Sequence, residues 1–294
     1  MRLPTRHLPL LLAAALGLAA LPASAQNLLP PAKSLIPATC PSPKAQDKLS
    51  VPLARTAARL RAGEPVTIVA IGSSSTAGAG ATSRDAAYPS RLQAMLRERF
   101  PDTDIKVVNR GINGQDAPEM LARFDKDVAA ARPTLVIWQS GVNALFRTDG
   151  LATAEKLLRE AIARVRALDA DLVLVDPQYA PRVLADADIG PMIRLIDTIA
   201  AEEGVGVYHR FALMRDWHEK AGMAFDSFLW KDSFHMNDWG YNCFARELSR
   251  AVIANIEAQQ RSADIAPSPK SRSKTTPAAA AATAGTPLAP TATP

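Results

Sequence analysis

The sequence predicts a three-layer α/β/α sandwich built on a parallel sheet of about five strands. Short, mainly apolar runs rich in β-branched residues recur between positions 51 and 260. Continuous apolar runs are typical of strands that are covered on both faces. Segments with apolar residues spaced by three and four, as on one face of a helix, lie between them. Strands that alternate with helices favour a parallel sheet with helices on both sides.

The strands and helices can be assigned from these patterns. The five runs expected to form strands cover residues 66–71, 105–109, 134–139, 172–176 and 205–208. The clearest helical spacings predict helices over residues 90–100, 152–168 and 239–258. In the first of these helices, Ser90 and Gln93 have the spacing of a capping box.

The first 25 residues have the layout of a secretory signal peptide. Arg2 and Arg6 precede an apolar stretch, and small residues lead up to a cleavage site predicted after Ala25. The apolar stretch is short for a membrane span, and no second long apolar run follows it. We therefore expect an exported protein, periplasmic or secreted, without integral membrane association.

Two further segments differ in composition from the middle of the chain. Residues 26–50 form a proline-rich lead-in. Residues 261–294 are rich in proline, alanine and threonine and contain almost no large apolar side chains. Such a tail buries too little surface to offset the entropy of ordering it, so we expect it to be disordered. The remaining residues, 51–260, have the length of one domain.

The charge balance argues against a nucleic acid partner. The whole chain has a net charge of +5, but residues 26–260 carry 28 basic and 28 acidic side chains. The basic excess therefore lies in the signal peptide and the tail, and residues 26–260 have no net charge that would attract a polyanion.

The chain has two cysteines, Cys40 and Cys243. In an exported protein they could form a disulfide that joins the lead-in to the last predicted helix. Two free thiols are the alternative, and the sequence leaves both open.

Polar residues follow the predicted strands at the edge where open α/β sheets bind their ligands, beyond the carboxyl ends of the strands. GSSST follows the first strand, NRGING the second and SGVN the third. WKDSFHMNDWG, which contains Asp232 and His235, comes after the fifth strand and a short helical stretch.

These residue types suit acyl transfer. A serine hydroxyl becomes a good nucleophile when a base such as His235 takes its proton and a third group such as Asp232 orients the base. The negative charge that develops on the substrate oxygen needs donors, and a backbone N–H in a glycine turn and the amide of Asn143 can supply them.

The four blocks, in this order, resemble those of the SGNH (GDSL-type) hydrolase family. GSSST is similar to the nucleophile block, usually G-D-S-x-T, and selects the middle serine, Ser74. VVNRGINGQ is similar to the second block and puts the oxyanion glycine at Gly114. WQSGVNA is similar to the G-x-N-D block and selects Asn143. DSFH is similar to the D-x-x-H block and selects Asp232 and His235.

The resemblance implies the family's flavodoxin-like sheet and a serine esterase mechanism without cofactor or metal. Catalysis would use Ser74, Asp232 and His235. The oxyanion hole would consist of the backbone N–H groups of Ser74 and Gly114 and the side-chain amide of Asn143.

Two positions depart from the family's pattern. Ser73 stands where the nucleophile block has aspartate, and Ala144 stands where an acid follows the asparagine. Because the family's proton relay uses the aspartate of the last block, we expect the triad to be intact. We expect the hydrogen bonding around the serines to differ, with Ser73 and Ser75 in structural roles.

Other kinds of site fit the sequence less well. Gly72 and Gly78 are one residue too far apart for a phosphate-binding G-x-x-x-x-G-K-[ST] loop, and no lysine follows them. Two cysteines and three dispersed histidines after the signal peptide form no metal-ligand cluster.

The aromatic residues near the Asp–His segment bear on the substrate. Trp230, Trp239 and Tyr241 bracket the Asp–His segment and could either stack on a sugar or pack inside the fold. We expect short-chain O-acetyl esters on a glycan as substrate. The alternatives are an O-acyltransferase acting on a glycan, a lysophospholipase or thioesterase, and a glycan-binding protein on an inactive hydrolase frame.

Overall fold

The computed structural model describes residues 39–41 and 48–265 of the 294-residue chain. The predicted signal peptide, most of the predicted lead-in and residues 266–294 of the predicted tail lie outside the described residues.

Five parallel strands form one sheet. They are β1 (Val66–Gly72), β2 (Ile105–Gly111), β3 (Leu135–Gln139), β4 (Asp171–Val175) and β5 (Gly206–Tyr208). The strand order is β2-β1-β3-β4-β5, and every neighbouring pair is parallel. This is the flavodoxin-like order, so the predicted fold class is confirmed. All five strands lie within two residues of their predicted starts and ends, and β2 continues two residues further than predicted.

Helices cover both faces of the sheet. In chain order they are α1 (Ala54–Arg61), α2 (Ser74–Ala77), α3 (Tyr88–Arg99), α4 (Ala117–Ala122), α5 (Phe124–Asp127), α6 (Gly150–Ala167), α7 (Pro181–Leu184), α8 (Ile189–Glu203), α9 (Arg210–Glu219), α10 (Phe225–Phe228) and α11 (Asp238–Ile265). Helix α11 packs on α1 and α3, whereas α6 packs on α4 and α8. Since β2 and β4 lie on opposite sides of the β1–β3 pair, right-handed crossovers place α3 and α6 on opposite faces.

The start of α3 differs from the prediction. The helix begins at Tyr88, and Pro89 occupies its first turn, where proline needs no N–H partner. Ser90 is therefore already inside the helix, and its hydroxyl donates to the carbonyl of Arg84 at 2.9 Å. Gln93 accepts a hydrogen bond from the N–H of Val107 at 2.8 Å. The predicted capping box is wrong, because the glutamine side chain ties α3 to β2 instead.

A disulfide joins Cys40 to Cys243, whose Cα atoms lie 5.4 Å apart. Cys243 is buried on α11. Beside it, the indole N–H of Trp217 donates to the carbonyl of Pro41 at 3.0 Å. Residues 39–41 of the lead-in are thus anchored to the domain. At its other end α11 continues to Ile265, five residues beyond the predicted domain boundary at 260.

The sheet defines one edge where a site can form. Strand order 2-1-3-4-5 changes direction between β1 and β3, and ligands bind beyond the carboxyl ends of the strands at such a switch point. The chain leaves β1 at Gly72 and β3 at Gln139, so the segments that follow these two residues lie side by side at that edge. None of the helices that the structure describes combines the length and the apolarity needed to cross a bilayer.

Candidate active site

The serine triplet forms a tight turn between β1 and α2. β1 ends at Gly72 and α2 begins at Ser74, which is 7% exposed. A Cβ atom on Gly72 would lie 2.2 Å from Oγ1 of Thr76, and one on Gly111 would lie 2.1 Å from the backbone nitrogen of Ala77. The two glycines therefore let the turn pack closely on its own strand and on the end of β2. As the first residue of α2, Ser74 has an N–H group without a partner inside the helix.

A neutral hydrogen-bond network lies under this turn. Oε1 of the buried Gln139 accepts from the N–H of Ser73 at 3.3 Å and from Oγ1 of Thr76 at 3.1 Å. Nε2 of Gln139 donates to Oγ of Ser73 at 3.3 Å. The hydroxyl of Tyr88 lies 3.4 Å from Oγ1 of Thr76. Ser73, at the position of the GDSL aspartate, is 1% exposed and thus binds an amide rather than forming an ion pair.

The Asp–His segment forms a second turn with its own local hydrogen bonds. Oδ1 of Asp232 accepts from the N–H groups of Phe234 and His235, both at 3.0 Å. Ser233 between them has φ = 54°, a left-handed conformation that tightens the turn. The N–H of Trp230 donates to the carbonyl of His235 at 2.8 Å and closes the loop.

The two turns meet at Ser74 and His235. Nε2 of His235 lies 2.8 Å from Oγ of Ser74, and Nδ1 lies 2.6 Å from Oδ2 of Asp232. Partial burial raises the pKa of Asp232, but hydrogen bonds from the His235 ring and from two backbone N–H groups outweigh it and lower the pKa below its ordinary value. An ionised Asp232 accepts from Nδ1–H of the ring, which leaves Nε2 free to accept the serine proton.

Contacts behind the site hold the two turns together. A Cβ atom on Gly80, where φ = 88°, would lie 2.5 Å from the carbonyl of Met236, so this glycine allows a close approach of the two segments. The hydroxyl of Tyr241 donates to the carbonyl of Ala79 at 2.7 Å. Thr82 donates through its backbone N–H to the carboxylate of Asp238 at 2.8 Å. The segment after Ser74 is thus tied to the segment after His235.

The predicted oxyanion residues lie in two loops that are bonded to each other. Gly114 is exposed and has φ = 76°. A Cβ atom at this position would have no neighbouring atom within 4 Å. Nδ2 of Asn143 donates to the carbonyl of Gln115 at 2.7 Å, which uses one of the two N–H groups of the amide. The other N–H group remains for an oxygen at the sheet edge.

Arg123 also supports the loop that carries Gly114. Its side chain, 12% exposed, donates through Nε to Oε1 of Gln115 at 2.6 Å and through Nη2 to the carbonyl of Gly72 at 3.2 Å. Nη1 pairs with Asp127 at 2.8 Å. One guanidinium therefore links the end of β1, just before the serine triplet, to the loop that carries Gly114.

Sequence reasoning did not identify Gln139, Gln115 or Arg123. The sequence did contain a signal for Gln139, because it is the last residue of the third predicted strand and polar residues at strand ends border the site. Arg123 had none, because Gly72 and Gln115, which its guanidinium joins, come together only in the folded chain.

The remaining candidates from the sequence divide into surface and core. Trp230 is 41% exposed beside His235, whereas Tyr241 is fully buried. The ring of Trp239 packs edge-on against Trp217, 5.3 Å away. Of the three aromatic residues, Trp230 is the one with an exposed surface for stacking. The described residues contain no group of three or more histidine, cysteine or acidic side chains placed to hold a metal ion.

Comparison with known proteins assigns the chain to a family. The family model described as the Non-GDSL lipase-like family matches residues 39–258, and the chain belongs to this family. The description agrees with Ser73 standing where GDSL-type members have aspartate.

One curated relative and two solved structures are informative. The acetylxylan esterase of Geobacillus stearothermophilus is 27% identical over 120 residues, which are 37% of this chain and 53% of that protein. A two-domain esterase described as active on acetylated mannans and co-crystallised with mannopentaose has a TM-score of 0.62 at 20% identity; the match covers 73% of this chain and 57% of that one. Each of these two matches thus covers a little over half the length of the other protein.

The second solved structure is a catalytic mutant of an acetylxylan esterase from Geobacillus stearothermophilus, in which a serine is replaced by alanine. It matches with a TM-score of 0.54 at 21% identity, over 66% of this chain and 95% of that one. At these identities the structural likeness establishes the fold.

Proposed function

We propose that the protein is a serine esterase that removes acetyl groups from a glycan through an acyl-enzyme. The observation that carries the proposal is the hydrogen-bonded chain from Ser74 through His235 to Asp232, with bonds of 2.8 and 2.6 Å, at the ligand-binding edge of the sheet. A serine, a base and an oriented carboxylate in this order are the constellation that activates a hydroxyl for attack on a carbonyl carbon.

The first half of the reaction forms the acyl-enzyme. Nε2 of His235 takes the hydroxyl proton as Oγ of Ser74 attacks the ester carbonyl carbon, and the carbonyl oxygen becomes an oxyanion. When the tetrahedral intermediate collapses, the bond to the sugar oxygen breaks, and His235 returns the proton to that oxygen. The ionised Asp232 stabilises the imidazolium that forms between these steps.

The second half uses water in place of the sugar. A water molecule attacks the acyl carbon while His235 takes one of its protons, and collapse of the second intermediate breaks the bond to Oγ of Ser74. The proton returns to Oγ, and the carboxylic acid leaves. In both halves the oxyanion is stabilised by the N–H groups of Ser74 and Gly114 and by the free N–H of the Asn143 amide.

The acyl group and the carrier are proposed from the relatives. An acetylxylan esterase and an esterase active on acetylated mannans share this fold, and both descriptions name acetyl groups on polysaccharides. The exposed ring of Trp230 beside His235 supports a sugar carrier, because pyranose faces pack on aromatic rings.

Labelling with a fluorophosphonate probe tests the proposed nucleophile. We expect a stoichiometric adduct on Ser74 in the folded protein and no adduct after Ser74→Ala or His235→Ala. The variant Ser73→Ala serves as the matched control and should still be labelled at Ser74. A folded wild-type protein that stays unlabelled would contradict the enzyme proposal and favour a glycan-binding protein with an inactive hydrolase fold.

Product analysis then separates the candidate reactions. We expect acetate release from acetylated xylo- or manno-oligosaccharides without any added acceptor. Acetyl transfer to an added sugar at the expense of free acetate would instead identify an O-acyltransferase. Preference for a lysophospholipid or an acyl thioester would identify the remaining alternative.

Export to the periplasm or the medium is also part of the proposal. The bond between Cys40 and Cys243 supports it, because disulfides persist in oxidising compartments. Alkylation of the natively produced protein without reductant should leave both cysteines unmodified. Two alkylated thiols would contradict export.

A further inference from the structure

The exposed apolar side chains of this protein are gathered around the candidate site. Among the described residues, four large apolar side chains are more than a third exposed: Ile112, Phe146, Leu184 and Trp230. The first three lie in the segments that follow β2, β3 and β4, and the fourth lies beside His235. All four therefore border the edge of the sheet where Ser74 lies. We call Phe146 and its neighbour Arg182, which lies in α7, the Phe–Arg pair.

The Phe–Arg pair is held one aromatic ring away from the base. The Phe234 ring lies 4.6 Å from the His235 ring, and the Phe146 ring lies 5.7 Å beyond it in an edge-to-face arrangement. Cζ of Arg182 lies 4.7 Å from the centroid of Phe146 and 5.1 Å from that of Phe234. Cation–π contacts with two rings fix the guanidinium next to the exposed part of Phe146.

Among the described residues Arg182 has no acidic partner, in contrast to the nearby Arg147. Arg147, directly after Phe146, pairs with Glu119 at 2.7 Å. Of the carboxylates that the structure describes, none lies within 4 Å of the Arg182 guanidinium. Asp186, four residues further on, accepts from the N–H of Asp188 at 2.9 Å and closes its own turn. Arg182 is exposed, so the N–H groups of its guanidinium can bind a ligand beside the site.

A second cation has the same arrangement at the other end of the Asp–His turn. Nζ of Lys231 lies 4.7 Å from the centroid of the exposed Trp230 ring. Two aromatic rings, each in a cation–π contact with a basic side chain, therefore border the site. An exposed ring suits the apolar face of a sugar, and a guanidinium without a counter-ion suits a carboxylate, which it binds with two parallel hydrogen bonds.

We propose that the Phe–Arg pair is a subsite for a sugar that carries a carboxylate and adjoins the acetylated residue of the substrate. The ring of Phe146 packs against this hexuronic acid, and Arg182 binds its carboxylate. This inference rests on the proposed esterase function and specifies the class of glycan: an acidic polysaccharide rather than a neutral xylan or mannan.

The test compares three substrates at equal ionic strength. These are an acetylated oligogalacturonide, an acetylated manno-oligosaccharide of equal length and the small ester 4-nitrophenyl acetate. We expect the wild-type protein to have the highest kcat/KM on the acidic substrate. Arg182→Gln should lower that value by about 10- to 100-fold, mainly through KM, since a hydrogen-bonded charge pair is lost. Its activity on the other two substrates should stay within about twofold, because no charge is recognised there.

Two variants sharpen the assignment. Arg61→Gln makes the same charge change on an exposed arginine before the amino end of β1, at the opposite edge of the sheet, and should leave all three activities unchanged. Arg182→Lys keeps the charge but loses the paired hydrogen bonds, so we expect a smaller loss on the acidic substrate, about 3- to 10-fold. Phe146→Ala should lower kcat/KM on both oligosaccharides and leave kcat/KM on the small ester unchanged.

The outcomes separate this inference from the proposed function. If 4-nitrophenyl acetate is hydrolysed in a Ser74-dependent way but the acidic preference is absent, or is unchanged by Arg182→Gln, the subsite is refuted and the esterase stands. If no ester is hydrolysed, the esterase proposal fails. Calorimetric titration of Ser74→Ala with the unacetylated oligogalacturonide then decides the subsite. Binding that Arg182→Gln weakens tenfold supports it, and absence of binding refutes it.

Discussion

The two turns that meet in the candidate site are held in opposite ways. The turn at Ser74 is buried and uncharged, and its support comes from far along the chain, since Gln139 on another strand binds Ser73 and Thr76. The turn at His235 is partly exposed and charged, and its support is local, since Asp232 binds the backbone of the two residues that follow Ser233.

The difference follows from what each side chain has to do. The nucleophile carries no charge before reaction, and a buried charge beside it would need its own partner, so a neutral amide and hydroxyls suffice under the Ser74 turn. The base becomes positive during the reaction, and a fixed negative charge next to it stabilises that state. A short turn that caps its own backbone holds such a carboxylate without help from the core.

Removing the reacting group of either turn tests whether both are equally necessary. We expect Ser74→Ala and His235→Ala each to reduce kcat by about 10⁴- to 10⁶-fold, because neither side chain can transfer the proton or attack alone. Ester hydrolysis under saturating substrate measures this. The double variant should be no worse than either single one, and additive losses would mean that the two residues do not act as a unit.

Neutralising the charged turn gives the next largest effect. Asp232→Asn keeps the shape but presents the histidine with an amide, which favours the wrong ring tautomer, so we expect kcat to fall by about 10³- to 10⁴-fold. The measurement is kcat on 4-nitrophenyl acetate. Asp226→Asn, a carboxylate at an exposed position of α10, is the control for net charge. If kcat of Asp232→Asn fell by less than tenfold, catalysis would not depend on the negative charge of Asp232.

Charging the neutral turn tests the reverse change. Ser73→Asp restores the GDSL aspartate in a position that is 1% exposed, and Ser73→Asn adds nearly the same volume without charge. We expect the free energy of unfolding of Ser73→Asp to be about 1–3 kcal/mol lower than that of Ser73→Asn at pH 7, since the carboxylate is desolvated without a cationic partner. Urea unfolding measures the difference. Equal stabilities would show that this turn tolerates a charge.

Acid should weaken the charged turn by a small amount. The pKa of Asp232 in the folded protein lies below its ordinary value. The ionised carboxylate therefore stabilises the folded state at pH values above its pKa in the unfolded chain, about 3.9. This contribution is lost as the pH falls through the folded pKa. We expect Asp232→Asn to be less stable than the wild type by about 1 kcal/mol or less at pH 6, with the gap closing towards pH 3. Urea midpoints at both pH values check this, and a gap that widens in acid would contradict it.

Local patterns predicted what depends on neighbours in the chain. The continuous apolar run before Gly72 and the spacing of Asp232 and His235 carry their signal within a few residues, and the structure brings this pair to Ser74. The start of α3 was misplaced, because Ser90 and Gln93 also have the pattern of a capping box. The choice between cap and tertiary contact depends on Val107, which lies in β2 and meets α3 only in the folded chain.

The sequence by itself determined the α/β class and the small set of polar groups that border the sheet edge, because strand and helix periodicities and short loop motifs are local properties. Only the tertiary structure decided that Gln139 lies under Ser73, that Arg123 links Gly72 to Gln115, and that Arg182 rests on two rings beside His235. Gln139 and Ser73 are 66 residues apart, and Arg123 and Gly72 are 51 residues apart. No local pattern encodes which side chain will occupy a space that the folded chain creates.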